Sequence, residues 1–218
     1  MINDDVSVQL AAAAREFIER EARAVAAAVE ADAVLPEAVA LVLASSGRVV
    51  LTGAGTSGFT ARRSAHLLSV SGTPAFAINP SDALHGSMGA VVPDDILIVL
   101  SKGGESAEVN TFAGRVHATG TTVVAVTANH ASSLAQLSDL VVVVPAVPGA
   151  DPGGLLGMGH TLATSAWLDA LAVVLMRIGD RSWNSVHDAH PGGAVGALTD
   201  LPDDLPPLPS PIPSRPAR

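Results

Sequence analysis

The chain has 218 residues, 48% hydrophobic but only 3% aromatic and 15% charged, so one compact domain must build its core mainly from Ala, Val and Leu. Twelve Lys and Arg against 21 Asp and Glu leave a net charge of −9, which argues against a broad basic face and against nucleic acid as a partner. The absence of Cys excludes a disulfide framework, a thiol nucleophile and Cys-ligated metals.

From Val8 to Ala31 the apolar residues Leu10, Ala14, Phe17, Ile18, Val25 and Val29 recur every three or four positions between Arg15, Glu19, Glu21 and Arg23, which predicts an amphipathic helix. A second helix is expected from Pro36 to Ala44, with proline where a missing N–H costs nothing and Gly47 just beyond the end. The pattern then changes to five short aliphatic runs: Arg48 to Thr52, Ala75 to Ile78, Ile96 to Leu100, Thr121 to Thr127 and Leu140 to Val144. Each is apolar at nearly every position, as in strands covered on both faces. Helical stretches separate them at Ser57 to Val70, Pro80 to Leu84, Ser106 to Thr119 and Ser132 to Leu137, and a long helix from Gly159 to Ile178 follows. The alternation predicts an α/β fold, a three-layer α/β/α sandwich around a five-stranded parallel sheet with ligands at the strands' carboxyl edge.

One domain is expected over residues 1–200, with helices in 1–45 packing on it. Residues 201–218 hold seven of the 15 prolines and are expected to form an extended or disordered tail. No segment reaches the ~18 uninterrupted apolar residues of a membrane span. The most apolar helical stretch, Leu162 to Met176, contains Asp169, and the N-terminal sequence is acidic where a secretory signal is basic. The expectation is a cytoplasmic protein with no membrane partner.

Two loops each follow an expected strand and open a helix. Gly53-Ala54-Gly55-Thr56-Ser57-Gly58 combines glycines that permit a sharp turn with hydroxyls beside the free N–H groups of a helix start, an outline anion site. It lacks Walker A spacing, and no acidic residue near Ile78 completes a dinucleotide fingerprint. Ser101-Lys102-Gly103-Gly104-Glu105-Ser106 places two hydroxyls around a glycine pair and a carboxylate, joining phosphate donors to a proton-transfer group. Two such loops at one sheet edge point to a phosphorylated small molecule.

Five motifs, in order, resemble the sugar isomerase (SIS) domain family, of the arabinose-5-phosphate isomerase type, over residues 8–197. They are Gly53 to Gly58, Thr73-Pro74-Ala75-Phe76, Ala83-Leu84-His85-Gly86, Ser101 to Glu108, and His190-Pro191-Gly192-Gly193-Ala194-Val195-Gly196. The resemblance implies a flavodoxin-like sandwich, a homo-oligomer with sites near subunit boundaries, a phosphosugar ligand and no cofactor. It also implies phosphate contacts from Ser57, Ser101 and Ser106, the hydroxyls that the loops themselves suggest. Thr56, Gly55 and Gly104 complete the expected phosphate cradle.

Two departures stand beside the matches. The family's loop lysine falls at Thr56, and its carboxylates before the last helix fall at Val147-Pro148-Gly149, leaving Lys102 as a cation with no family counterpart. Aldose–ketose isomerisation through an enediol needs a base, and Glu105, between the phosphate-binding hydroxyls, is the candidate. His85, placed by Gly86, and His190, heading a Pro-Gly-Gly turn, are the other catalytic candidates, with ring opening as the task of His190. His160, Thr161 and Lys102 are expected further sugar contacts. His187 and His190 lack a third ligand at suitable spacing, so no metal is expected. The functional expectation is a phosphosugar aldose–ketose isomerase. The alternatives are a non-catalytic phosphosugar sensor and a 6-phospho-3-hexulose isomerase.

Overall fold

The structure, a computed structural model, describes residues 3–213; the two N-terminal residues and the last five of the expected tail lie outside the described residues. Helix α1 (Asp4–Ala27) opens on the cap Asn3, whose side chain accepts the Asp5 N–H. A 3-10 segment, Ala28–Val34, leads into α2 (Leu35–Ala44), which carries Pro36 in its first turn. Strands β1 (Val49–Gly53), β2 (Ala75–Ile78), β3 (Ile96–Leu100), β4 (Thr122–Thr127) and β5 (Leu140–Val143) then alternate with α3 (Gly55–Val70), α4 (Pro80–Leu84), α5 (Ala107–His117) and α6 (Ser133–Gln136). After β5 come α7 (Gly159–Ile178) and two short helices, α8 (Trp183–Asp188) and α9 (Gly193–Gly196).

All strand pairs are parallel, in the order β2-β1-β3-β4-β5. Successive strand residues point to opposite faces, and the core divides accordingly. Val49, Leu51, Ile96, Ile98, Leu100, Val124 and Val126 pack with α2, α3 and α7, whereas Val50, Leu97, Val99, Val123 and Ala125 pack with α5 and α6. Every residue of β1 and β3 is buried, which explains why β3 is aliphatic throughout rather than alternating, while the one polar side chain of β1, Thr52, donates to the Ile78 carbonyl. At about 1.5–3 kcal/mol for each large aliphatic side chain withdrawn from water, these two layers supply the dominant stabilisation.

Helix α7 is long and apolar enough, at a mean hydropathy of 1.5, to cross a membrane by composition alone. Ten of its residues are buried, Trp167 donates its indole N–H to the Ala31 carbonyl at 3.1 Å, and Asp169 takes both Arg63 guanidinium nitrogens. Its apolarity is therefore explained by packing against the sheet, α1 and α3. The face of α1 behaves differently from an ordinary amphipathic helix, because Leu10, Ile18 and Val25 remain exposed and only Ala24 is buried.

Residues 201–213 run without helix or strand and make several hydrogen bonds to the preceding helices. Arg177 Nε donates to the Pro206 carbonyl (2.8 Å), the Leu208 N–H to the Arg177 carbonyl (3.2 Å) and the Trp183 indole to the Asp203 carbonyl (3.0 Å). The described part of this segment is extended, and these contacts lay it over the end of α7 and over α8.

Candidate active site

The strand order reverses between β1 and β3, so the chain leaves these two strands toward opposite faces and a crevice opens between their following loops. A cleft of about 220 Å³ occupies this position, lined by Thr56 and Ser57 after β1, Ser101, Lys102, Gly103 and Ser106 after β3, and Gly154, Leu155 and Gly157 before α7. Beneath it, Thr60, His160, Thr161 and Thr164 form a close polar layer with Ser57 and Ser101. Larger hollows of about 320 Å³ beside Gly72 and Arg181, and about 380 Å³ beside Val25 and Trp167, lie away from the strand ends that carry these hydroxyls.

Four of these strand-to-helix turns differ in how the first helical N–H groups are satisfied. Asn79 caps α4 by accepting the Ser81 N–H, and Ser132 caps α6 by accepting the Ala135 N–H. At the cleft, Ala54 precedes α3 and Ser106 precedes α5, and neither makes a side-chain capping bond. The two helices that flank the crevice therefore point uncapped N-termini into it, and the Ser106 hydroxyl is not spent on its own helix. Together with the Ser57 and Ser101 hydroxyls this is an arrangement of dipoles suited to an anion.

Local backbone geometry holds the loops in place. Gly104 has φ +70°, and its N–H is committed to the Ser101 carbonyl at 3.1 Å and hydroxyl at 3.2 Å. Its carbonyl accepts from Leu134 N (3.1 Å) and Asn110 Nδ2 (3.0 Å), so Gly104 shapes the loop while its N–H faces Ser101 rather than the cleft. Gly55, at φ +55°, turns the chain into α3.

Lys102 is the only charged residue lining the cleft among the described residues. Its ammonium lies 2.5 Å from Asp151 Oδ2, and the other oxygen of Asp151 accepts the Met158 N–H (2.8 Å) and His160 N–H (3.2 Å). Burial opposes ionisation of Asp151, but the bonds from Lys102 and the two amides prevail and hold its carboxyl below the usual aspartate range. His160 is 4% exposed, and burial pushes its ring down despite the nearby Asp151 charge. It bonds the Val144 backbone, while Nε2 has no partner.

Lys102, a cation without a family counterpart in the sequence, is thus paired with Asp151, two residues beyond Val147 to Gly149. Sequence reasoning missed Asp151 because nothing marks an aspartate in a Pro-Gly-Gly loop as buried. Only the return of the chain to the β3 edge brings it to Lys102.

The structure brings together Thr56, Ser57, Ser101, Lys102 and Ser106, with His160 and Thr161 in the layer below. It does not bring the three catalytic candidates to that cleft. Glu105 is exposed on the rim, where its two oxygens accept the Ser133 N–H (2.8 Å) and hydroxyl (2.7 Å). The Ser133 hydroxyl first, and then its amide, hold the Glu105 carboxyl below the ordinary glutamate range. His85 is exposed at the end of α4. His190 lies on the far side of α3, its ring edge-on to His66 at 6.3 Å and its Nδ1 2.9 Å from the Val186 carbonyl.

The order 2-1-3-4-5, the covered parallel sheet and the uncapped helix pair at the switch point define a flavodoxin-like sandwich with a polar cleft at its carboxyl edge. The model of the SIS domain matches residues 42–174, and the chain belongs to this family. Arabinose 5-phosphate isomerase KdsD of Pseudomonas aeruginosa is 34% identical over 160 residues, covering 73% of this chain and 49% of that protein. KdsD of Escherichia coli K12 is 35% identical over 150 residues, covering 69% and 46%. The chain thus spans about half the length of the curated relatives it matches. The structure of E. coli CFT073 c3406 in complex with arabinose 5-phosphate superposes with a TM-score of 0.81 at 28% identity, covering 87% of this chain and all of that one.

Proposed function

We propose that this chain is a phosphosugar aldose–ketose isomerase of the arabinose 5-phosphate type, working without a cofactor in the cytoplasm. The observation that carries the proposal is the pair of uncapped helices, α3 and α5, converging with Ser57, Ser101 and Ser106 on one cleft. Arabinose 5-phosphate isomerases among the relatives support the choice of substrate. The phosphate sits against the helix N-termini and the three hydroxyls, and the sugar runs toward the rim that Glu105 occupies. Glu105, once released from Ser133, takes the proton from carbon 2 and the carbonyl shifts to an enediol. Return of a proton to carbon 1 leaves the ketose.

His85 and His190 lie off the cleft within one chain, and Leu155 beside the cleft is 89% exposed. Both facts support a homo-oligomer in which a neighbouring subunit brings histidines to the site, with His190 assisting ring opening. The exposed apolar residues Leu10, Ile18 and Val29 of the N-terminal segment support the same assembly.

NMR of arabinose 5-phosphate with the protein in deuterated water tests the proposal. Conversion to the 2-ketose with deuterium at carbon 1 is expected, and Glu105→Gln should stop exchange while leaving binding intact. Binding with no deuterium uptake would instead identify a non-catalytic sensor.

A further inference from the structure

Asp151 is 7% exposed, and both of its carboxylate oxygens are engaged. One receives two N–H groups from the start of α7, whose cap Met158 offers no side-chain bond, and the other receives the Lys102 ammonium from the loop after β3. A single carboxylate therefore ties two walls of the cleft together. The Lys102 side chain keeps 33% of its surface exposed while its ammonium is held by Asp151, and the residue lines the cleft. An ammonium has three donors, and Asp151 accounts for one. In a protein of net charge −9 this is the one cation lining the cleft among the described residues, and the groups around it are hydroxyls and helix N-termini. The His160 ring next to it is buried with Nε2 unpartnered. The layer therefore holds a buried ring nitrogen without a partner beside a fixed donor.

We propose that Asp151 is a positioning residue: it fixes the Lys102 ammonium at the switch-point cleft, where that ammonium contacts the phosphoryl group of the ligand. The inference rests on the phosphosugar reading and adds to it a cation supplied by the β3 loop and aligned by the α7 loop. It also separates two roles by residue. Lys102 supplies attraction for the anion, whereas Asp151, whose own charge opposes the anion, supplies alignment.

Asp151→Asn distinguishes these roles. The amide oxygen can still accept the Met158 and His160 N–H groups, but its NH2 meets the ammonium donor to donor and releases Lys102. Calorimetric titration with inorganic phosphate and arabinose 5-phosphate, alongside steady-state kinetics, reads the result. Lys102→Met should weaken both anions by about tenfold or more, the loss of one charge-assisted hydrogen bond. The weakening should shrink as salt screens the wild-type attraction. Asp151→Asn should retain phosphate binding while kcat falls by about tenfold, with a smaller change in KM, because alignment rather than attraction is lost.

The double variant Lys102→Met/Asp151→Asn leaves no buried carboxylate unpaired. It should recover the melting temperature lost in Lys102→Met without recovering anion affinity. Unchanged phosphate affinity in Lys102→Met, or wild-type kcat per folded molecule in Asp151→Asn, would overturn the inference. Wild-type protein that binds inorganic phosphate but no sugar phosphate would overturn the phosphosugar reading alone, and the Lys102→Met arm would still decide the cation's role. Wild-type protein that binds neither anion would overturn both.

Discussion

Replacing Gly104 by Ala tests whether the loop after β3 is held in the one shape that the anion site needs. At φ +70° a Cβ here would lie 2.1 Å from Ser132 Oγ and 2.4 Å from Ser132 Cβ. Ser132 has no room to swing aside, since it is 1% exposed and caps α6 through the Ala135 N–H at 3.2 Å. A left-handed backbone costs an L-residue about 1–2 kcal/mol, and overpacking a filled site costs about 1–3 kcal/mol. The sum, about 2–5 kcal/mol, leaves a folded but weakened protein against a typical stability of about 5–15 kcal/mol. Urea unfolding followed by circular dichroism should show that loss, and calorimetry should show weaker phosphate binding because Ser101 moves with Gly104. Ser132→Gly removes the obstructing side chain, so in its background Gly104→Ala should cost only the backbone part, about 1–2 kcal/mol. Gly104→Ala within about 0.5 kcal/mol of wild type, the usual effect of a neutral surface change, would refute the packing argument.

Further outcomes follow from individual contacts. Ser133→Ala removes the hydroxyl that lowers the Glu105 pKa, so if Glu105 is the base, the acid limb of the kcat/KM profile should move to higher pH; an unmoved limb excludes Glu105 as that base. Asp95 is 1% exposed, and burial alone would raise its pKa, but Arg48 through its side chain and amide, with the Val92 N–H, lowers it overall. The stability it contributes is thus complete above the unfolded aspartate pKa of about 3.9 and is lost as pH falls through the lower folded value, so Asp95→Ala should flatten the acid side of a stability–pH curve. The same variant should cost about 3 kcal/mol at neutral pH, the low end for breaking a buried pair because the Arg48 side chain is 45% exposed and can be rehydrated. Leu97→Ala, at a fully buried position of β3 facing α5, should cost about 2–5 kcal/mol in the same unfolding assay.

The sheet was legible because its strands are short and buried on both faces: Ile96 to Leu100 is aliphatic at every position, and β3 occupies those same residues. The hydroxyls that line the cleft were legible for a related reason. Ser57, Ser101 and Ser106 sit close to strand ends, where short-range sequence dictates geometry. What was not legible depends on long-range return of the chain. Asp151 reaches Lys102 across 49 positions, and Glu105 finds Ser133 across 28. No local pattern encodes either contact, so neither the hold of Ser133 on Glu105 nor the burial of Asp151 beside Lys102 can be read from the sequence. The periodicity of α1 predicted its helix but not its exposure, because a pattern specifies an apolar face without naming what covers it.

The phosphosugar reading places the ligand's phosphate between the loops after β1 and β3. A crystal structure with arabinose 5-phosphate should show phosphorus between the starts of α3 and α5, with phosphate oxygens within hydrogen-bond reach of Ser57, Ser101 and Ser106 and a further oxygen on the Lys102 ammonium. Phosphate seated elsewhere, for example in the polar hollow of about 250 Å³ beside Arg62, Asn79 and Asp82, with the switch-point cleft left to solvent, would contradict it.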